Sequence, residues 1–372
     1  MKTIAKGKEM GGGNPAGFQT LGDIEEAASR NADKTAWAYV QGGAGEEWTL
    51  RSNREAFHRR TFRPRVLVSV EKIDISTRIL GEESTAPFYI SPTASHGVLH
   101  SEAERCAARA ASVARIPAAF STLSTISMEA IAAVAPEGTR WFQLYLQPDF
   151  KNTENLIIRA EKAGFKAILL TVDMPLSGVR DREVLSGYGV ETPVPLGNGL
   201  QIVRPLRSPT VDGGHAFVRE EASANWDVLD QIRKITRLPI LVKGILTSED
   251  AKLAVDHGVK GIIVSNHGGR QLEGAPASLE ALPEIVKAVG SKVEVFFDGG
   301  VRRGSDVLMA LAEGAKAVGL GRLVLWALAA GGETGVSRMI DLLKADLATE
   351  MALTGRRTVS EIDQSLLGPM RW

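Results

Sequence analysis

One histidine in this chain has neighbours that could help it move a proton. His267 lies in Ser265-Asn266-His267-Gly268-Gly269-Arg270, where two glycines leave the imidazole open and a guanidinium follows three positions on. The other five histidines lack such company. A carboxylate within hydrogen-bond reach orients an imidazole and stabilises the cation formed when it accepts a proton. Asp173, which ends Leu170-Thr171-Val172-Asp173, is the candidate for that partner. Arg180 and Arg270 each offer a planar guanidinium that grips a carboxylate through two parallel hydrogen bonds, so an acidic substrate is expected. Lys243 precedes Gly244 and leaves three chemistries open: a Schiff base, a hold on phosphate, or a positive charge beside an anionic cofactor. No HExxH or CxxC spacing occurs, and no metal is expected.

A second group could hold an anion. Asp298-Gly299-Gly300-Val301-Arg302 supplies small residues whose backbone N–H groups can approach a phosphate, and Gly321-Arg322 adds another amide and a guanidinium. A Gly-Gly pair alone is weak evidence, whereas two such loops with two arginines make a phosphate cradle.

These residues become neighbours only if the elements between them place them on one rim. Short apolar runs at 88–91, 118–121, 141–145, 167–172, 239–242, 261–264, 293–297 and 317–320 read as buried parallel strands. Amphipathic stretches at 101–115, 153–163, 226–236, 248–257, 277–289 and 305–313 read as helices between them. The alternation is that of an α/β chain folded as a single (β/α)8 TIM barrel, whose chemistry sits just after the C-terminal ends of its strands. Every candidate above follows one of these runs. Residues 19–60 read as a helical preface and 333–354 as a closing helix. Residues 1–20 read as a tail ahead of one barrel domain at 21–372. Residues 184–224, dense in Gly and Pro after the fourth strand, read as a long active-site loop.

Bulk composition excludes several classes. The 372 residues are 44% hydrophobic and 24% charged, enough for a sizeable core. Lys plus Arg and Asp plus Glu are 44 each, so no overall field attracts nucleic acid or an anionic membrane. Cys106 is the only cysteine, in an Ala-rich helical stretch, and is expected to pack as a small core residue. No apolar run is long enough for a spanning helix, no signal peptide opens the chain, and the terminal Gly368-Pro369-Met370-Arg371-Trp372 is no peroxisomal address. The cytoplasm is the expected compartment.

The chain resembles the FMN-dependent L-2-hydroxy-acid oxidases and dehydrogenases, the family of glycolate oxidase, lactate oxidase and mandelate dehydrogenase. The motifs that carry the resemblance are Gly43-Ala44-Gly45-Glu46-Glu47-Trp48-Thr49-Leu50, Phe62-Arg63-Pro64-Arg65, Trp141-Phe142-Gln143-Leu144-Tyr145, Leu170-Thr171-Val172-Asp173, Leu241-Val242-Lys243-Gly244, Ser265-Asn266-His267-Gly268-Gly269-Arg270-Gln271-Leu272 and Asp298-Gly299-Gly300-Val301-Arg302-Arg303-Gly304. Together they span nearly the whole chain.

The resemblance implies FMN as cofactor and a small 2-hydroxy acid as substrate. It implies that His267 takes a proton from the substrate, that Asp173 supports it, that Arg180 and Arg270 hold the substrate carboxylate, and that Tyr39 and Tyr145 hydrogen-bond the substrate. Lys243 would lie beside the flavin edge that becomes anionic on reduction. Pro92, Thr93, Ala94, Ser121, Gln143, Thr171 and Ser265 match positions lining the flavin. Asp298, Gly299, Gly300, Val301, Arg302, Gly321 and Arg322 match those around the ribityl chain and phosphate. Ala94-Ser95-His96-Gly97, Trp141-Phe142-Gln143 and Ser177-Gly178-Val179-Arg180-Asp181-Arg182 look most like L-lactate oxidases, with O2 as acceptor and H2O2 as product. Leu123 suggests a pocket of intermediate size. The resemblance also implies a homo-oligomer, tetramer or octamer. A dehydrogenase using a quinone or protein acceptor, a lactate 2-monooxygenase, and an isomerase on a similar FMN barrel are the alternatives.

Overall fold

The apolar runs become parallel strands because each can bury both faces, one against the barrel interior and one against a helix. The computed structural model describes residues 17–187, 196–199 and 223–369. Among these, β3 (Phe88–Ile90), β4 (Ala118–Ser121), β5 (Arg140–Leu144), β6 (Ala167–Thr171), β7 (Ile240–Ile245), β8 (Gly261–Val264), β9 (Glu294–Asp298) and β10 (Ala317–Leu320) pair in parallel and close into a barrel, β10 against β3. All eight expected strands are present. The fifth runs on through Lys243 and Gly244, and the seventh ends one residue later, at Asp298.

The barrel interior is filled by large and small residues in alternation. Tyr89, Trp141 and Phe296 pack with ring centroids 5.1 to 6.0 Å apart, and Ala119, Ala167 and Ala317 leave them room. Below them a hairpin the sequence reading missed, β1 (Thr77–Ile79) and β2 (Glu82–Ser84), inserts Ile79 into this cluster. Its strands are too short to show a period. The other strand faces carry Ile90, Phe120, Phe142, Ile168 and Val242 into a second layer shared with the surrounding helices.

The preface is α1 (Leu21–Asn31), α2 (Lys34–Gln41) and α3 (Trp48–His58). Thr20 caps α1 in a capping box with Asp23, and Asp33 caps α2. Then follow α4 (Glu104–Ala114), α5 (Met128–Val134), α6 (Phe150–Lys162), α7 (Asp181–Leu185), α8 (Asp227–Ile235), α9 (Ser248–Asp256), α10 (Ser278–Val289), α11 (Gly304–Ala312) and α12 (Arg322–Leu353). Two of these, α5 and α7, are too short to carry an amphipathic pattern and were not expected. The closing helix starts earlier than residue 333: α12 runs from Arg322 and is broken at Gly331-Gly332, where Gly332 has φ +58°. Cys106 is buried in α4, as expected.

The long loop expected at 184–224 needs two corrections. Residues 184 and 185 close α7, and residues 196–199 form a turn seated on the barrel. Residues 188–195 and 200–222, and most of the tail expected at 1–20, lie outside the described residues. Among the described residues no helix is long and apolar enough to cross a membrane.

Candidate active site

Asp173 and His267 are 94 positions apart in sequence and meet because β6 and β8 flank β7 in the barrel. His267 Nδ1 lies 2.9 Å from Asp173 Oδ1. Neutral imidazole then carries its proton on Nδ1, donates it to the carboxylate and leaves Nε2 as the basic nitrogen. Tyr145 Oη is 3.5 Å from that Nε2, in contact but too long for a strong bond.

Burial lowers the His267 pKa below the ordinary imidazole value; Asp173 opposes this, while Lys243 and Arg180 add to it. The free site therefore presents neutral imidazole at neutral pH. Burial alone would raise the Asp173 carboxyl, but His267, Lys243 and hydrogen bonds outweigh it and the net direction is down. The pair in the free site is thus a neutral imidazole beside a carboxylate.

Local backbone chemistry builds this arrangement. His267 has φ +58°, a strained region for a side-chain-bearing residue, and Gly268 and Gly269 continue at +65° and +73°. Asn266 holds the turn by accepting from Gly269 N at 3.0 Å while exchanging amide bonds of 2.9 Å with Asn53 on α3. On β7 the register against β8 shifts between Lys243 and Ile245, a bulge centred on Gly244 with φ +109°. A Cβ at Gly244 would lie 2.5 Å from Asp173 Cβ, so only glycine admits the carboxylate here.

Above the pair opens a cleft with about 1270 Å³ of empty space including its mouth. Its walls include Tyr39, Pro92, Thr93, Ala94, Ser121, Leu123, Tyr145, Arg180, Lys243, His267 and Arg270. Asp298, Gly299, Gly300, Val301, Arg302, Gly321 and Arg322 line it as well. Four expected site residues are not on this wall. Gln143, Thr171 and Ser265 are bonded to wall or neighbouring side chains: Ser121 Oγ donates to Gln143 Oε1 at 2.9 Å, Gln143 Nε2 to Thr171 Oγ1 at 3.0 Å, and Lys243 Nζ to Ser265 Oγ at 3.0 Å. The fourth, Asp173, is bonded to His267 Nδ1.

The arginine pair is braced by groups the sequence reading passed over. Arg180 donates to the Arg270 carbonyl at 3.0 Å and to Gln271 Oε1 at 2.9 Å; Gln271 Nε2 in turn donates to the Asp173 carbonyl at 3.0 Å. Arg270 donates to the carbonyls of Tyr39 and Gly42 and lies 4.9 Å from the Tyr39 ring centroid. Glu183 on α7 also lines the cleft. Its place three residues after Arg180 was the available signal. Asn198, buried in the turn at 196–199, accepts from Met128 N at 3.0 Å and donates to the Thr122 carbonyl at 3.0 Å, tying the long excursion to the rim after β4. Nothing in its sequence neighbourhood singled it out.

At the far end, two buried cations crowd together. Burial and the neighbouring Arg54 pull Arg302 down to about 10. Burial, then Arg270 and Arg302, hold Arg322 well below the guanidinium range. Gly299 and Gly300, at φ +125° and +81°, pack so closely that a Cβ would meet Ser278 Oγ at 2.9 Å and the Asn53 carbonyl at 2.5 Å. Gly321 has open space before it, and α11 and α12 begin beside these loops. Such clustered positive charge, only partly offset by Glu25, Asp306 and Glu47 and faced by small residues and helix N-termini, fits a phosphate.

Residues 28–369 match the family of FMN-dependent dehydrogenases. The chain belongs to that family. It is 44% identical over 350 residues to 2-hydroxyacid oxidase 2 of Mus musculus, covering 93% of this chain and 97% of the relative. It is 43% identical over 355 residues to an L-lactate oxidase of Nostoc sp., with 93% and 97% covered. A crystal structure of mandelate oxidase with (S)-4-hydroxymandelic acid superposes with a TM-score of 0.88 at 40% identity, covering 94% of this chain and 98% of that one. The cofactor of this FMN-dependent dehydrogenase family member is FMN, and the phosphate cradle, Lys243 and the polar floor fit it. Among the described residues no cluster of His, Cys, Asp or Glu could hold a metal ion.

Proposed function

We propose that this protein oxidises a small L-2-hydroxy acid, L-lactate foremost, to the 2-oxo acid, with O2 as acceptor and H2O2 as product. The observation that carries the reading is the 2.9 Å His267–Asp173 contact on the same wall as Arg180 and Arg270. Arg180 and Arg270 hold the substrate carboxylate, and Tyr39 and Tyr145 take its remaining polar contacts. His267 Nε2 receives a proton from the substrate, and Asp173 stabilises the resulting imidazolium. When bound, FMN supplies the two-electron acceptor. Lys243, 3.8 Å from Asp298, keeps a cation in the wall where negative charge is gained. Leu123 lines the cleft and fits a pocket of intermediate size, open to lactate and to longer 2-hydroxy acids. The functional unit is residues 21–372 as one FMN-binding barrel with the segment from the end of α7 to residue 224 as its active-site loop, assembled as a homo-oligomer.

The test is an anaerobic reduction screen of the FMN-loaded protein across L-2-hydroxy acids of graded size, followed by exposure to air. L-lactate should bleach the flavin fastest and return one H2O2 per pyruvate. Bleaching with dye reduction but no peroxide would point to a dehydrogenase, acetate plus CO2 to a monooxygenase, and no bleaching by any acid would overturn the reading.

A further inference from the structure

A second buried histidine stands beside the cleft and takes no part in the chemistry above. His96 follows β3, is 2% exposed, and brings Nε2 to 2.7 Å from Oγ1 of Thr93, a residue of the cleft wall. Its other ring nitrogen, Nδ1, is buried with no hydrogen-bond partner among the described residues. The backbone that carries the ring is held in place. Ser95 has φ +59°, and the buried Glu104 accepts from His96 N at 3.1 Å, Thr125 N at 2.9 Å and Ile126 N at 3.1 Å, joining the loops after β3 and β4. A Cβ at Gly97 would lie 2.5 Å from Thr125 Cγ2, so the turn packs flush against the second loop.

Burial pushes the His96 pKa down, with Glu104 opposing, and a neutral ring carries a single proton. On Nδ1 that proton would be a buried donor with nothing to receive it. On Nε2 it is donated to Thr93 Oγ1, and the group left over is a lone pair, which interiors tolerate better than an orphaned N–H. Thr93 then spends a lone pair on His96, and its own proton turns away from the ring. Among the described residues that hydroxyl makes no other hydrogen bond.

We propose that His96 is a positioning residue that makes Thr93 a hydrogen-bond donor to a ring oxygen of the bound flavin. A carbonyl oxygen accepts in both redox states, and more strongly once the ring gains negative charge, so a donor held toward it favours the reduced form. The opposite tautomer would turn the Thr93 proton back onto His96 and offer the cleft only lone pairs. The inference rests on the expected placing of Thr93 against the flavin ring, and it is independent of which acid is oxidised.

The experiment has two arms, both on FMN-loaded protein without substrate. Two-bond proton–nitrogen correlations of 15N-histidine-labelled wild type, with His96 assigned by its loss in His96→Gln, should show Nε2 protonated and Nδ1 bare at neutral pH. Protonated Nδ1 overturns the proposal. In the second arm the flavin midpoint potential is measured by slow enzymatic reduction against a reference dye. Thr93→Val should weaken reduced relative to oxidised FMN binding by about tenfold, the worth of one charge-assisted hydrogen bond, which lowers the two-electron potential by about 30 mV. His96→Leu, which frees the hydroxyl to rotate, should lower it by less, and His96→Gln, whose amide can still donate to Thr93, should hold it near wild type. Added to Thr93→Val, His96→Leu should change nothing further. An unmoved potential in Thr93→Val, or a His96→Leu shift that persists without the hydroxyl, overturns the proposal. Both readouts stand even if no hydroxy acid reduces the flavin, a result that would defeat the proposed oxidation alone.

Discussion

At the scale of single residues, protonation states carry the chemistry. Burial holds the His267 pKa below about 6.5, so the basic form prevails at neutral pH and disappears as pH falls through the shifted value. The acid limb of kcat/KM should therefore have its midpoint below that figure and a plateau at neutral pH, read from initial rates across a pH series. Asp173 works against burial, pulling the His267 pKa upward. Replacing Asp173 with Asn should move the acid limb to still lower pH and drop the plateau by on the order of 10²-fold or more. A limb that moved toward higher pH would mean that another group titrates.

At the scale of elements, the bulge on β7 is what lets Asp173 face His267. Gly244→Ala combines a left-handed φ of +109° with a Cβ 2.5 Å from Asp173 Cβ, and should cost about 2–3 kcal/mol along with most activity. Gly81→Ala, at φ +82° in the β1–β2 turn with nothing within 4 Å, bears only the backbone penalty of about 1–2 kcal/mol and should leave activity intact. Thermal melts and steady-state rates of the two variants make the comparison. The sequence made the strands readable because runs such as Ala-Ile-Leu-Leu-Thr at 167–171 are buried on both sides and nearly continuous. Clustering of Lys, His and Arg after those runs made the rim readable too. The β1–β2 hairpin, α5 and α7 were not readable: elements of three to seven residues hold less than two helical turns or one strand alternation. Asn198 and Gln271 escaped for a different reason. Their importance lies in hydrogen bonds to carbonyls and amides far away in sequence, which leave no local pattern.

At the scale of the whole molecule, cofactor binding and stability are linked. A ligand that binds only the folded state stabilises by about 2.7 kcal/mol at a hundred times its Kd, so Tm should climb with added FMN. Arg302 sits buried 4.3 Å from the Trp326 ring centroid, and its guanidinium donates to the carbonyl of Val301. Arg302→Ala should weaken FMN binding by about tenfold or more, the worth of one charged hydrogen bond, and shrink the gap between apo and loaded Tm. An unchanged gap would place the phosphate elsewhere. The central claim, that His267 is the base that begins oxidation of the acid, has a more direct measurement. FMN-loaded wild type and His267→Gln are each mixed with L-lactate under anaerobic conditions and the flavin absorbance is followed. Wild type should bleach within the mixing experiment and the variant should stay oxidised with its FMN bound; bleaching of the variant at the wild-type rate would contradict the assignment.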